Sequence, residues 1–268
     1  MDAFRLPSCR WPRRHLVEFT DLPGLPRPLR RWLGDYLRGI VTLTRVFEPA
    51  APHIADLLRA TGGDWVVDLC SGAGGPWPAL ARPVEASLGR PVRVLLTDLH
   101  PDAGTWAWLE TSAPAGVTGH AGPVPADDVP ASLRGVRTLF DGLHHLPPEA
   151  ARAVLADASR HGVPLLAAEA VERSALGFAG VLFSPFLVWA VTPFLRPLSL
   201  SRLLFTYVLP LVPVMALWDG IVSVLRCYRP DELRALTAGL DDRYDWRIER
   251  VRRFGPASTV LVGTPRAG

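Results

Sequence analysis

Lysine is absent from this sequence of 268 residues, so all 29 basic residues are arginine. Alanine, glycine and proline are plentiful beside them, the pattern that GC-rich codon usage gives, and the net charge is only +3. So small an excess, with no continuous basic stripe, argues against nucleic acid as a partner. Cysteine is scarce as well. Cys9, Cys70 and Cys227 stand far apart, which excludes CxxC-type metal spacing and a disulfide framework, and no metal is expected. A reducing cytoplasm is the expected setting. Charges and prolines occupy the first residues, where a secretion signal would need an apolar run. Internal repeats are lacking. A clean GxGxxG is lacking too, which counts against a nicotinamide cofactor.

What is present is apolar. Hydrophobic residues make up 49% of the chain, enough for a large core and too many for disorder. The mean hydropathy of +0.18 asks where the surplus sits. Residues 1–30 are rich in proline and arginine and predict an irregular arm. Its clusters at Arg10, Arg13, Arg14 and at Arg27, Arg30, Arg31 suit a solvated face, or contact with phosphates or anionic headgroups. Helical spacing follows over 29–46 and 52–60. Short apolar strands at 65–69, 92–96, 136–140 and 163–168 alternate with helices at 78–88 and 148–160. That alternation predicts a parallel sheet covered on both faces, with every strand's C-terminal end along one ligand-binding edge. A helix opening at Pro230 and strands at 244–252 and 258–263 close the chain. The expected fold is α/β, a doubly wound, mostly parallel seven-stranded sheet. The expected segments are an arm with helices (1–60), a core (61–174), an apolar helical insertion (175–225) and the remainder of the core (226–268).

The insertion holds the surplus. Residues 175–195 carry no charge, and a second apolar run covers 203–218 before Asp219. The first run has the length of a membrane span, about 20 residues, but Pro185, Pro193, Pro210 and Pro213 interrupt the pair. The expectation is a cap that builds a greasy acceptor pocket, with a homodimer surface, membrane-surface association or a true span as alternatives. Trp218 and Asp219 are the polar pair expected to reach into that pocket, the bland alternative being a capped helix end.

The segment Val66-Val67-Asp68-Leu69-Cys70-Ser71-Gly72-Ala73-Gly74-Gly75 ends the first strand in a turn where a backbone can approach a ligand closely. Free N–H groups of the following helix favour electronegative ligand atoms there. This stretch resembles the first motif of class I S-adenosylmethionine-dependent methyltransferases. Gly72 and Gly74 match two of the motif's glycines, and Cys70 stands where the first is usual. The resemblance covers 60–172 well and 226–265 loosely. It implies that Asp68, Leu69, Cys70, Ser71, Gly72 and Gly74 line the cofactor. Asp98, at the end of the next strand, can accept both hydrogen bonds of a ribose diol, and Leu99 would touch the adenine. Asp127, or its neighbour Asp128, would hold the adenine amino group, although the prolines of 122–128 argue against a regular third strand. The segment from Thr138 through Asp141 to His144 and His145 resembles the fourth-strand end that faces the methyl group. Either histidine could take an acceptor's proton. Glu169 and Glu172 follow the next strand, with Arg173 expected to pair with one of them.

The resemblance thus implies methyl transfer from S-adenosylmethionine, leaving S-adenosylhomocysteine. The expected acceptor is a hydrophobic small molecule (lipid, quinone, polyketide or terpenoid), with O- and C-methylation equally open. The competing expectation is a membrane-associated or scaffolding protein that keeps the fold without the chemistry.

Overall fold

The computed structural model describes residues 11–114, 116–240, 242, 244–252 and 257–266. Its centre is one seven-stranded sheet in the order β3-β2-β1-β4-β5-β7-β6. The parallel strands are β1 (Trp65–Leu69), β2 (Arg93–Leu96), β3 (Val117–Gly119), β4 (Val136–Phe140) and β5 (Leu165–Glu169). β6 (Tyr244–Val251) and β7 (Ser258–Pro265) form the antiparallel edge, β7 lying between β5 and β6.

Successive residues of a strand feed opposite faces. Val66 packs with Ile54 and Leu58 of one helix, α2 (Ala51–Thr61), and with Trp77 and Leu80 of another, α3 (Trp77–Leu88). Its neighbour Val67 packs on the other face with Val154 and Leu155 of α5 (Pro148–His161). On the first face α4 (Ala103–Ser112) adds Trp106 and Leu109; on the second α10 (Pro230–Thr237) adds Leu233 and Leu236. Burial on both sides explains why the parallel strands read as continuous apolar runs.

The third strand lies earlier than the proline-rich 122–128. Prolines 123 and 125 have no N–H to give a ladder, so that segment becomes a loop along the sheet's C-terminal edge. The Val124 N–H still donates to the Asp98 carbonyl at 2.9 Å.

The apolar insertion folds as α6 (Ala175–Leu182), α7 (Ser184–Val191), α8 (Leu200–Leu203) and α9 (Leu211–Arg226). It packs against α1 (Arg27–Thr44) through a third core in which Trp32, Leu33 and Tyr36 meet Val188, Val191, Val212 and Met215. Among the described residues no single helix is long and apolar enough to cross a membrane. The two halves bend by 42° and 75°, with Pro185 and Pro213 in the first turns of α7 and α9. A buried ion network ties insertion to α1: Asp35 accepts from Arg38 at 2.7 Å and from Arg202 at 2.8 Å. Arg38 also donates to the Ala73 carbonyl at 3.2 Å, which sets α1 over the glycine-rich turn.

The described part of the arm, which holds a 3-10 turn at Phe19–Asp21 ahead of α1, is fixed by α9. The Arg14 N–H donates to the Leu225 carbonyl at 3.1 Å, and Arg226 Nε donates to the Leu16 carbonyl at 2.7 Å. Arg13 faces inward, lying over the Tyr228 ring at 4.1 Å and donating to the Leu146 carbonyl at 2.9 Å. Arg10 lies outside the described residues.

Candidate active site

The turn after β1 is built from left-handed backbone. Positive φ is taken by Cys70 (54°), Gly72 (50°), Gly74 (97°) and Gly75 (52°). A non-glycine residue in that region stores roughly 1–3 kcal/mol, which is the physical reason a glycine is usual where Cys70 stands. A Cβ on Gly74 would come 2.3 Å from Leu109 Cδ1, whereas one on Gly72 would meet nothing within 4 Å. The turn is thus closed beneath Gly74 and open above Gly72.

Asp68 and Ser71 lie under the turn and hold it. The Asp68 carboxylate accepts from Thr138 Oγ1 at 2.6 Å and from Ser71 Oγ at 2.7 Å. Burial, only partly offset by these bonds, pushes Asp68 up to about 6. Ser71 also binds the end of β2, its N–H donating to the Thr97 carbonyl at 2.9 Å. Leu69 is buried in the core below. Asp98 faces the turn from β2, accepting from the Gly72 N–H at 2.9 Å and from the His100 N–H at 2.8 Å. Leu99 beside it is exposed, and so is Asp127 on the loop after β3. Burial and the charges of Asp98, Asp68, Asp127 and Glu169 push the Cys70 thiol up to about 12. The field over this turn therefore favours a cation.

A second cluster sits at the ends of β4 and β5. Asp141 also has a left-handed backbone (φ 48°), and its carboxylate accepts from the Ala170 N–H at 2.7 Å. Burial and the neighbouring Glu169 push it up to about 7. His144 Nδ1 lies 2.5 Å from Glu169 Oε2, while Glu169 Oε1 accepts from the Leu143 N–H at 2.9 Å. Burial raises Glu169 to about 7 and lowers His144 to about 3, so the imidazole is neutral near neutral pH. Its Nε2 is buried with no hydrogen-bond partner and faces Glu18 Oε1 at 3.9 Å. His145 tilts against it with ring centroids 4.4 Å apart, and its Nδ1 lies 3.1 Å from Asp21 Oδ1. Burial opposes protonation of His145, but the bond to Asp21 and the nearby Glu18 hold it above its ordinary value.

Glu18, Asp21 and Arg226 belong to this cluster and were not legible in the sequence. Arg226 lies 3.2 Å from Glu18 and 2.5 Å from Asp21, joining arm to α9 across some 200 positions. The only local signal was two acids three apart in an arm otherwise rich in arginine and proline. Donor atoms of Glu18, His144 and His145 lie within 4.8 Å of one another, the spread of a metal triad. The guanidinium of Arg226 already supplies positive charge to that carboxylate, and the group reads as an acid–base network.

Trp218 and Asp219 lie inside α9 rather than at a helix end, because the helix continues to Arg226. Their polar atoms engage the arm. Trp218 Nε1 donates to the Val17 carbonyl at 3.0 Å, and Asp219 accepts from the Phe19 and Thr20 N–H groups at 2.7 and 3.3 Å. Arg173 pairs with Glu232 at 2.5 Å instead of with Glu169 or Glu172, while Glu172 pairs with Arg250 at 2.6 Å. Those partners come from α10 and β6, which the sequence could not bring alongside.

The strand order and the turn at β1 define the class I S-adenosylmethionine-dependent methyltransferase fold. Among solved structures the chain resembles the methyltransferase SibL in its apo form, at 16% identity and a TM-score of 0.53. It resembles the mitomycin 7-O-methyltransferase MmcR at 19% identity and a TM-score of 0.51. Both likenesses cover 94% of this chain, which spans 64% of the SibL chain and 61% of the MmcR chain. No protein-family model matches the sequence, and no curated protein matches it.

Proposed function

We propose that this protein is an S-adenosylmethionine-dependent methyltransferase that methylates a hydroxyl of a hydrophobic small molecule, with His144 as proton acceptor. The observation that carries the reading is His144 itself. It is neutral and buried, it is oriented through Nδ1 by Glu169, and its Nε2 has no partner, all on the sheet edge that carries the glycine-rich turn.

The residues of the turn fit the cofactor. Open space above Gly72, the Asp98 carboxylate beside it and the negative field at Cys70 suit a ribose and a positively charged sulfonium. Once bound, S-adenosylmethionine supplies an electrophilic methyl group whose departure leaves a neutral thioether. Cys70, Gly72 and Gly74 would shape the wall of its site, with Asp127 and Leu99 toward the adenine. His144 Nε2 would take the proton that the acceptor oxygen loses as it bonds to the methyl carbon, and Glu169 would stabilise the resulting imidazolium. The bound cation would favour the ionised form of Asp141, which would then add negative charge beside the reacting group. The arm, pinned by Trp218 and Asp219, would close this side of the site and keep water out. MmcR is a mitomycin 7-O-methyltransferase, which favours O-methylation of a small molecule here; the apolar insertion, whose α9 packs against the Leu143–His145 turn, favours a hydrophobic one.

Calorimetric titration with S-adenosylmethionine and S-adenosylhomocysteine tests the reading. Micromolar binding is expected, weakened at least about tenfold by Asp98→Ala, the loss of one or two charge-assisted hydrogen bonds. His144→Gln should bind the cofactor like wild type yet fail to transfer label from it to an apolar acceptor. Folded wild-type protein that binds neither compound would sink the proposal.

A further inference from the structure

The apolar insertion is far more exposed than a pocket cover needs to be. Of twenty-three exposed large hydrophobic side chains among the described residues, sixteen lie between Leu176 and Trp218. Leu200 is 86% exposed, Phe194 79% and Val208 69%, and Phe183 and Phe186 stand bare beside them. Patches of this kind on a folded surface mark an interaction site.

Charge says what covers it. No Asp or Glu occurs from 173 to 218, and the only one from 22 to 47 is Asp35. These two segments pack together through α1, α7 and α9, and Asp35 is buried between Arg38 and Arg202. Neither segment therefore exposes a carboxylate of its own, while Arg27, Arg31 and Arg196 of the same segments are exposed. Aromatic and aliphatic side chains flanked by guanidinium groups complement an anionic lipid surface. Among the described residues no single helix is long and apolar enough to cross, and both apolar runs are bent, by 42° and 75°, which suits a segment lying in one leaflet.

We propose that residues 176–218, flanked by α1, seat this protein on an anionic lipid bilayer, with the insertion embedded in the interfacial region. Resting on the transferase reading above, the inference also names the acceptor's class: a molecule that partitions into that bilayer.

The experiment is flotation of the full-length protein with vesicles of phosphatidylglycerol and phosphatidylcholine, compared with phosphatidylcholine alone. Wild type should float with the anionic vesicles and bind neutral ones at least about tenfold more weakly. Phe194→Glu with Leu200→Glu should lower anionic-vesicle binding about tenfold or more, with an unchanged melting temperature because neither side chain belongs to a core. Arg196→Glu, which alters only the rim, should weaken it without touching the apolar face. Any other pattern overturns the inference. In particular, a dimer that ignores vesicles and is dispersed by the same double substitution would make this face an interface between two copies. No cofactor or acceptor enters the assay, so its failure is distinguishable from failure of the methyl-transfer reading.

Discussion

At the scale of single residues, the turn after β1 separates two glycines that look alike in sequence. Both have positive φ, but only Gly74 lies against a neighbour, Leu109. Gly74→Ala is therefore expected to cost about 2–3 kcal/mol, strain and clash together. Gly72→Ala should cost nearer 1 kcal/mol, the left-handed penalty alone. Urea unfolding of the two variants checks this; equal losses would show that the Leu109 contact has no energetic weight. The same view explains Asp68. The motif implies that it lines the cofactor; in the structure its carboxylate is buried beneath the turn, where it accepts from Thr138 and Ser71 and so braces the turn.

At the scale of elements, the arm is the part whose role changed most between sequence and structure. Proline and arginine predict no regular structure over 1–30, whereas a 3-10 turn forms at Phe19–Asp21 and α1 begins at Arg27; the backbone polar groups between them still need partners. α9 supplies them through Trp218, Asp219 and Arg226. Asp219→Ala leaves the Phe19 and Thr20 N–H groups without an acceptor and should release the arm, a loss of about 1–3 kcal/mol in docking. Trypsin cleavage after Arg13 or Arg14 should then accelerate while the sheet stays resistant. Unchanged cleavage would mean that the arm is held by its other contacts. Sequence periodicity found the helices at 29–46 and 52–60 because each has one apolar face. It could not show that the first, as α1, closes over the glycine-rich turn, since that depends on the pairing of Asp35 with Arg38 and Arg202.

At the scale of the whole molecule, acidic side chains collect along the C-terminal edge of the sheet, and pH should register them. Asp141 is raised from an ordinary 3.8 to about 7, so the folded state holds its proton over a range where the unfolded chain has lost it. Its contribution to stability is then fully present below about 3.8 and is lost as pH rises through about 7. Asp141→Asn, which cannot ionise, should gain in melting temperature relative to wild type as pH is raised from 4 to 8. A constant difference across that range would show that Asp141 ionises normally. A bound cation at this edge should narrow the gap, because it favours the ionised carboxylate.

The sequence by itself determined the sheet, the turn and the apolar insertion. Strand runs such as Val66-Val67 declare burial on both faces, the spacing from Asp68 to Asp98 fits one strand–helix–strand unit, and 21 uncharged residues cannot all be hidden in a small core. These are local properties, set by neighbours within about thirty positions. Only the tertiary structure decided that His144 is held by Glu169, that Glu18 and Asp21 from the arm face the two histidines, and that Trp218 and Asp219 serve the arm. Each depends on groups 25 to 201 positions apart meeting, and burial decides which of the titratable ones stay neutral.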